Sequence, residues 1–216
     1  MLGLAAIACS REEERDAVGL FSKSVSIEAQ LAELAKAGLV VNPGVVEADL
    51  TTFHSRAEME KKPYAGLVEV LGIELEREPF TPICDRLWMC DFERIEDHGA
   101  YREVVERLER MTGGALQLSG IADYVVIDEE KAWVEFDRGG QRTHWDLRIQ
   151  DDWLDEQVLR RYAALLATSG SPIRLYINET DYGQTAFLGA FTAEEKAAFE
   201  KLSPIRLPPM PLPSSD

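Results

Sequence analysis

Hydrophobic residues recur along the chain with two different spacings, one typical of helices and one typical of strands. A spacing of three or four residues places apolar side chains on one face of a helix. This helical spacing occurs in residues 26–39, 55–72, 101–111, 153–168 and 192–202. Ser55 with Glu58, and Thr192 with Glu195, also have the spacing of a capping box, which favours a helix start at each place. The pattern therefore predicts helices near both ends of the chain and between groups of strands.

Alternation of apolar and polar residues, or a short aromatic and β-branched run, predicts strands. Such segments are residues 86–93, 124–128, 132–137, 141–149, 173–178 and 184–191. Runs of strands joined by short turns, with helices before and after them, predict an α+β fold: a mainly antiparallel sheet of about five to six strands flanked by about four to six helices. We expect a single domain over residues 21–202, an extension at 1–20, and a disordered proline-rich tail at 203–216.

The clearest local signal is a hairpin around Gly139 and Gly140, which have the composition of a two-residue turn. This turn would pair Glu135 with His144 and Trp133 with Asp146, and it would direct the apolar residues of both strands to the other face. The predicted outer face carries seven side chains: Trp133, Glu135, Asp137, Arg142, His144, Asp146 and Arg148. Three interpretations stay open for this face, namely a solvated surface, a surface that binds a partner, and a catalytic acid–base pair.

The charge balance narrows the choice of partner. The 216 residues include 23 Lys and Arg against 39 Asp and Glu, for a formal net charge of −16. Such a charge disfavours phosphate backbones and anionic membranes, so we expect no nucleic-acid partner. A protein partner would be more basic than this chain, because complementary fields favour association. The sequence leaves the oligomeric state open.

Known catalytic and metal-binding motifs are missing from the sequence. The acidic and histidine residues supply pairs at most, short of the ligand set of a catalytic zinc site, so neither a metal nor a cofactor is predicted. This favours a non-enzymatic protein. Because convergent active sites need no local motif, a hydrolase-type enzyme with a site around Glu135, His144 and Asp146 is kept as an alternative.

The three cysteines lead to separate expectations. Cys84 and Cys90 flank an apolar run, which predicts buried reduced thiols, with one disulfide as the alternative. Cys9 ends a short apolar run and resembles the lipidation site of a bacterial lipoprotein signal, although no Lys or Arg precedes the run. A terminal extension and an early start codon are the competing interpretations of residues 1–17. We expect no transmembrane segment and a cytoplasmic protein, or alternatively a periplasmic lipoprotein.

These observations together favour a small acidic binding protein that neutralises or sequesters a protein partner. In size, charge and fold class the chain is similar to the immunity proteins that bacteria keep beside antibacterial toxins, and no residue motif carries this likeness. The alternative from the N-terminal residues is a periplasmic accessory lipoprotein anchored through Cys9.

Overall fold

A computed structural model describes residues 24–179 and 183–213. The described helices are α1 (Ile27–Ala35), α2 (Glu47–Leu50), α3 (Arg56–Lys61), α4 (Ala65–Leu71), α5 (Ala100–Met111), α6 (Gln157–Thr168) and α7 (Ala193–Leu202). The described strands are β1 (Glu74–Leu75), β2 (Thr81–Pro82), β3 (Leu87–Asp91), β4 (Ser119–Val126), β5 (Lys131–Arg138), β6 (Gln141–Leu147), β7 (Arg174–Glu179) and β8 (Thr185–Phe191). The expectations about Cys9 and the extension at 1–20 fall outside the described residues.

The α+β class with antiparallel pairing is confirmed, but the strands are divided among separate sheets. Two sheets have three strands each, in the orders β3-β8-β7 and β4-β5-β6, and β1 pairs only with β2. The single sheet of about five to six strands was therefore wrong in strand count. The reason lies in β8, whose sequence is apolar on both faces and which is buried as the central strand of its own sheet.

The β3-β8-β7 sheet separates two hydrophobic cores, because its side chains alternate between them. Leu188 and Trp88 project into a core shared with α5, α6 and the inner face of the β4-β5-β6 sheet. Phe187 and Phe191 project into a second core with α1, α4 and α7. The molecule is thus layered as helices, sheet, helices and sheet, and the β4-β5-β6 sheet is the last layer.

The predicted caps are present, and the boundaries of two helices differ from those expected, since α1 ends at Ala35 rather than near residue 39 and α6 begins later than its sequence pattern indicates. Ser26 and Ser55 accept backbone N–H groups at the starts of α1 and α3, and Thr192 with Glu195 forms the capping box of α7. The helix predicted from Trp153 starts at Gln157 instead. Trp153 is held before the helix by a bridge to Glu93 and packs against the first core.

The described part of the proline-rich segment, residues 203–213, packs on the sheet, unlike the disordered tail expected from its composition. Its chain is extended, as prolines favour, and it pairs with β7: Ile177 donates its N–H to the Pro208 carbonyl at 2.9 Å, and Met210 donates to the Leu175 carbonyl at 3.0 Å. Leu207 and Met210 are buried, each in one of the two cores. The prediction of a disordered tail failed because the hydrogen bonds to β7 join residues that are far apart in the sequence, which local composition does not reveal.

None of the described helices combines the length and the apolar composition that a bilayer span requires.

Candidate functional site

The β5–β6 hairpin has the register expected from its sequence. Glu135 lies opposite His144, and Trp133 lies opposite Asp146. The turn residues Gly139 and Gly140 have φ angles of +56° and +79°, which suit the mirror-image turns that match the twist of a hairpin. Because side chains alternate along a strand, this register places the predicted charged and aromatic residues on one face.

The face opposite the core is open among the described residues. On the inner side Val134 and Phe136 are buried in the first core, where α5 and α6 cover the sheet. On the other side Trp133 is half-buried, and the side chain of Asp146 is 93% exposed. We call this side the outer face, formed by Tyr124, Trp133, Glu135, Asp137, Arg142, His144 and Asp146.

Arg142 is the centre of a charged cluster on the outer face. Its Nη2 lies 2.6 Å from Glu135 Oε1, and its Nη1 lies 2.9 Å from Asp137 Oδ2. Nη1 also donates to the carbonyl of Gly120 at 2.9 Å. Gly120 stands at a bulge with a φ of +56°, where a Cβ would come within 2.8 Å of Asp137 Oδ2. A glycine at this bulge therefore lets the strand β4 backbone approach the cluster.

The ion pairs of the cluster shift the acid–base equilibria of its members. Hydrogen bonds from Arg142, and then from His144, hold the pKa of Glu135 below its ordinary value. The hydrogen bond to Glu135 has the largest effect on the pKa of Arg142 and raises it. Burial lowers this pKa by less, and the negative charges of Glu135 and Asp137 raise it further. Glu135 is thus an ionised acceptor at neutral pH and is poorly suited to act as a general base.

His144 lies between two carboxylates. Its Nδ1 is 3.2 Å from Glu135 Oε2, and its Nε2 is 3.4 Å from Asp146 Oδ1. The ring also lies 5.2 Å from the ring of Trp133, at an interplanar angle of 38°. In the described residues both ring nitrogens face carboxylates, which hold the imidazole in one orientation on the sheet.

Two residues that the sequence did not indicate extend the face into an aromatic row. Tyr124 of β4 lies opposite Trp133, with ring centroids 6.0 Å apart and planes 10° apart. His98 packs on the other side of Tyr124 at 4.8 Å and accepts the Val125 N–H on its Nδ1 at 3.1 Å. The aromatic row therefore crosses all three strands as His98, Tyr124, Trp133 and His144. The pairing of Tyr124 with Trp133 followed from the β4–β5 register, which the sequence left undetermined.

Arg148, the remaining predicted member, lies apart from the charged cluster. It follows the last residue of β6, and its backbone N–H donates to Asp155 Oδ2 at 2.8 Å. Its side chain lines a separate cavity of about 300 Å³ together with Trp153 and Arg160. Another cavity, of about 460 Å³, lies between α3 and α4 beside His54. Neither of these two cavities includes the outer face.

In the described part of the chain no group of three or more His, Cys, Asp or Glu side chains is placed so that it could hold a metal ion. Cys84 and Cys90 are free and buried, as predicted for reduced thiols. Burial raises the pKa of the Cys90 thiol to about 12, which leaves it protonated and unreactive.

Comparison of the chain with protein-family models, with curated proteins and with solved structures gives no significant match. The outer face is therefore the feature of the molecule from which a function is inferred.

Proposed function

We infer that the chain is an acidic binding protein that neutralises or sequesters a more basic protein partner through its outer face. The observation that carries the proposal is the half-buried Trp133 at the centre of a three-stranded sheet whose inner face is packed and whose outer face is open in the described residues. Tryptophan and arginine are enriched among the interface residues that dominate binding energy, and here both lie on one open face.

The surrounding charges support recognition rather than simple solvation. Glu135, Asp137 and Arg142 are joined by short ion pairs, so their positions are set before a partner arrives. A preorganised face loses less side-chain entropy on association than a set of independent surface side chains. Among the described residues Asp146 has one ion-pair partner, His144, and its side chain is 93% exposed, so it is accessible to a cation of the partner. The net charge of −16 would attract a basic partner over longer distances at low salt.

The hydrolase alternative has weaker support from the same residues. Glu135, His144 and Asp146 are in contact, as that hypothesis requires. A nucleophilic mechanism further needs a hydroxyl or thiol beside the imidazole and a site that excludes water. In the described residues the ring nitrogens face carboxylates, and the half-exposed imidazole lies on a flat strand pair. Fixed charges around an aromatic side chain support binding better than they support catalysis.

The test compares single changes on the outer face with matched changes elsewhere. The full-length chain would be used to co-purify its partner from the native host, and the Kd would then be measured with the recovered protein. Trp133→Ala and Asp146→Lys are each expected to weaken the complex by more than about 1 kcal/mol. The controls are Phe53→Ala, an exposed aromatic residue, and Glu33→Lys, a partly exposed acid on α1 whose side chain is 46% exposed.

The two controls are expected to leave the Kd unchanged, and circular dichroism should show that all four variants are folded. A partner that binds both outer-face variants as tightly as it binds the wild type would contradict the proposal. Failure of the wild-type chain to recover any basic protein would contradict it as well.

A further inference from the structure

The edges of the sheets differ in how they are covered. At β3, Met89 donates its N–H to the Gly72 carbonyl at 2.7 Å, and at β7 the segment around Pro208 adds to the edge. At β4, His98 accepts the Val125 N–H at 3.1 Å. Proteins usually cover or block strand edges, because a free edge pairs readily with another strand. Strand β6 is the other edge of the β4-β5-β6 sheet. Among the described residues, no segment pairs with the open side of β6 between residues 141 and 145.

The side-chain contact of Arg161 shows which backbone groups of β6 point outward. Its Nη1 donates to the Asp146 carbonyl at 3.0 Å, and the register of the two-residue hairpin directs this carbonyl away from β5. Because hydrogen-bonding direction alternates along an antiparallel strand, the N–H and C=O groups of His144 and Arg142 point the same way. The free edge therefore offers the backbone groups of three alternate residues, whose side chains all lie on the outer face.

We propose that β6 pairs with β6 of a second copy of this chain, antiparallel and about a two-fold axis at His144. In this register Arg142 lies opposite Asp146 of the second copy, and Asp146 lies opposite its Arg142. Two cross-strand ion pairs then form, related by the axis. Moving the axis to Arg142 or to Asp146 would place like charges opposite each other. The charges of the strand are thus self-complementary in the register centred on His144.

The partners of these charges within one chain are compatible with the pairing. The side chain of Asp146 is 93% exposed, and in the part of the chain that the structure describes His144 is the one side chain within ion-pair distance of it. Arg142 uses its two terminal nitrogens for Glu135 and Asp137, and its Nε–H remains for another carboxylate. The Asp146 carbonyl has a second lone pair beside the one used by Arg161. At physiological salt the screening length is about 8 Å, so the remaining acidic surface of the two copies interacts weakly.

Pairing would also cover apolar surface on the inner face. Trp145 is half-buried there and packs edge-to-face on Phe136 at 4.9 Å. Thr143 of the second copy would lie directly opposite it, a favourable aromatic and β-branched cross-strand pair. The result is a continuous six-stranded sheet in which the two aromatic rows meet at the axis. This inference goes beyond the proposed function and does not depend on it, since dimerisation needs no partner protein.

The experiment measures the mass of the full-length chain in solution, by light scattering and sedimentation, from low to high micromolar concentration. His144→Pro removes an outward N–H while leaving the hydrogen bonds to β5, and edge strands tolerate proline for this reason. We expect the wild type to dimerise and His144→Pro to be monomeric. The matched control His144→Thr lacks the imidazole, keeps the N–H, and is expected to dimerise.

A charge exchange tests the register. Asp146→Arg and Arg142→Asp each place like charges across the axis and should raise the dimer Kd by about tenfold or more. The double variant Arg142→Asp with Asp146→Arg recreates both pairs in reverse and should recover most of the affinity. Circular dichroism checks that each variant is folded. A monomeric wild type, a dimer that survives His144→Pro, or a double variant no better than the single ones would overturn the proposal. None of these outcomes bears on binding of a protein partner through Trp133.

Discussion

Replacement of Arg107 is expected to be the most destabilising change of a charged side chain described here. Arg107 lies on α5, and only 6% of its surface is exposed. Its guanidinium donates to the carbonyls of Asp85 at 3.0 Å, Cys84 at 3.1 Å and Leu87 at 2.7 Å. Its Nε lies 2.9 Å from Glu74 Oε1. One side chain therefore joins α5, β1 and the turn that leads into β3.

The size of the effect follows from the groups that the arginine leaves behind. In Arg107→Met, three carbonyl groups lose a donor, and each unsatisfied buried group costs about 1–3 kcal/mol. These costs are not additive, because the turn can relax and the Glu74 carboxylate is 22% exposed. Removing one partner of a buried pair costs about 3–5 kcal/mol, which we take as the expected loss. For a chain of this length that corresponds to a fall in Tm of roughly 6–20 °C.

The measurement is urea unfolding followed by circular dichroism, with Arg102→Met as the control. Arg102 lies on the same helix, is 48% exposed, and has one i,i+4 partner at 3.8 Å. Its replacement should change the free energy of unfolding by less than about 0.5 kcal/mol. Arg107→Lys keeps the positive charge but lacks the planar guanidinium with its several fixed donors, so the loss of unfolding free energy should be intermediate. An Arg107→Met variant within about 1 kcal/mol of the wild type would refute the reasoning.

Three further predictions concern other parts of the fold. Burial raises the pKa of Glu195, but its N-cap hydrogen bond and the adjacent arginine outweigh burial and lower it. This carboxylate therefore stabilises the fold at neutral pH, and the contribution is lost as the pH falls through the folded pKa; Glu195→Gln should flatten the fall in Tm between about pH 6 and about pH 3. Met210→Ala should cost about 2 kcal/mol in urea unfolding, and the exposed Leu212→Ala close to none; equal effects would argue against packing of the C-terminal segment. Cys90 should resist iodoacetamide in the folded chain and react in urea, as read by peptide mass spectrometry; labelling at equal rates in both states would contradict its burial.

The sequence predicted the parts of the site that depend on local pattern. Strict alternation over residues 141–147 and the two glycines of the turn determine which residues of β5 and β6 share a face, so the Glu135–His144 and Trp133–Asp146 pairs were found. The capping boxes of α3 and α7 are local in the same sense, since each depends on residues three positions apart.

The parts that were missed depend on contacts between distant residues. Tyr124 joins the aromatic row because β4 pairs with β5 through a register that includes a bulge near Gly120. The strands are divided among separate sheets because β8 is apolar on both faces, and an apolar run without alternation does not show which strands it pairs with. The buried position of Met210 likewise depends on hydrogen bonds to β7, which composition does not reveal.

The same strand, β6, bounds both the outer face and the open sheet edge. Trp133 lies on the central strand, one strand away from the edge, so it can anchor a partner without contributing to strand pairing. His144 and Asp146 belong to both surfaces, because their backbone groups point to the edge while the His144 ring packs on Trp133 at 5.2 Å and the exposed Asp146 side chain lies on the outer face. A dimer through β6 would therefore place two partner-binding faces side by side on one sheet. Binding of two partner molecules, or of one symmetric partner, would then gain from proximity without any new contact.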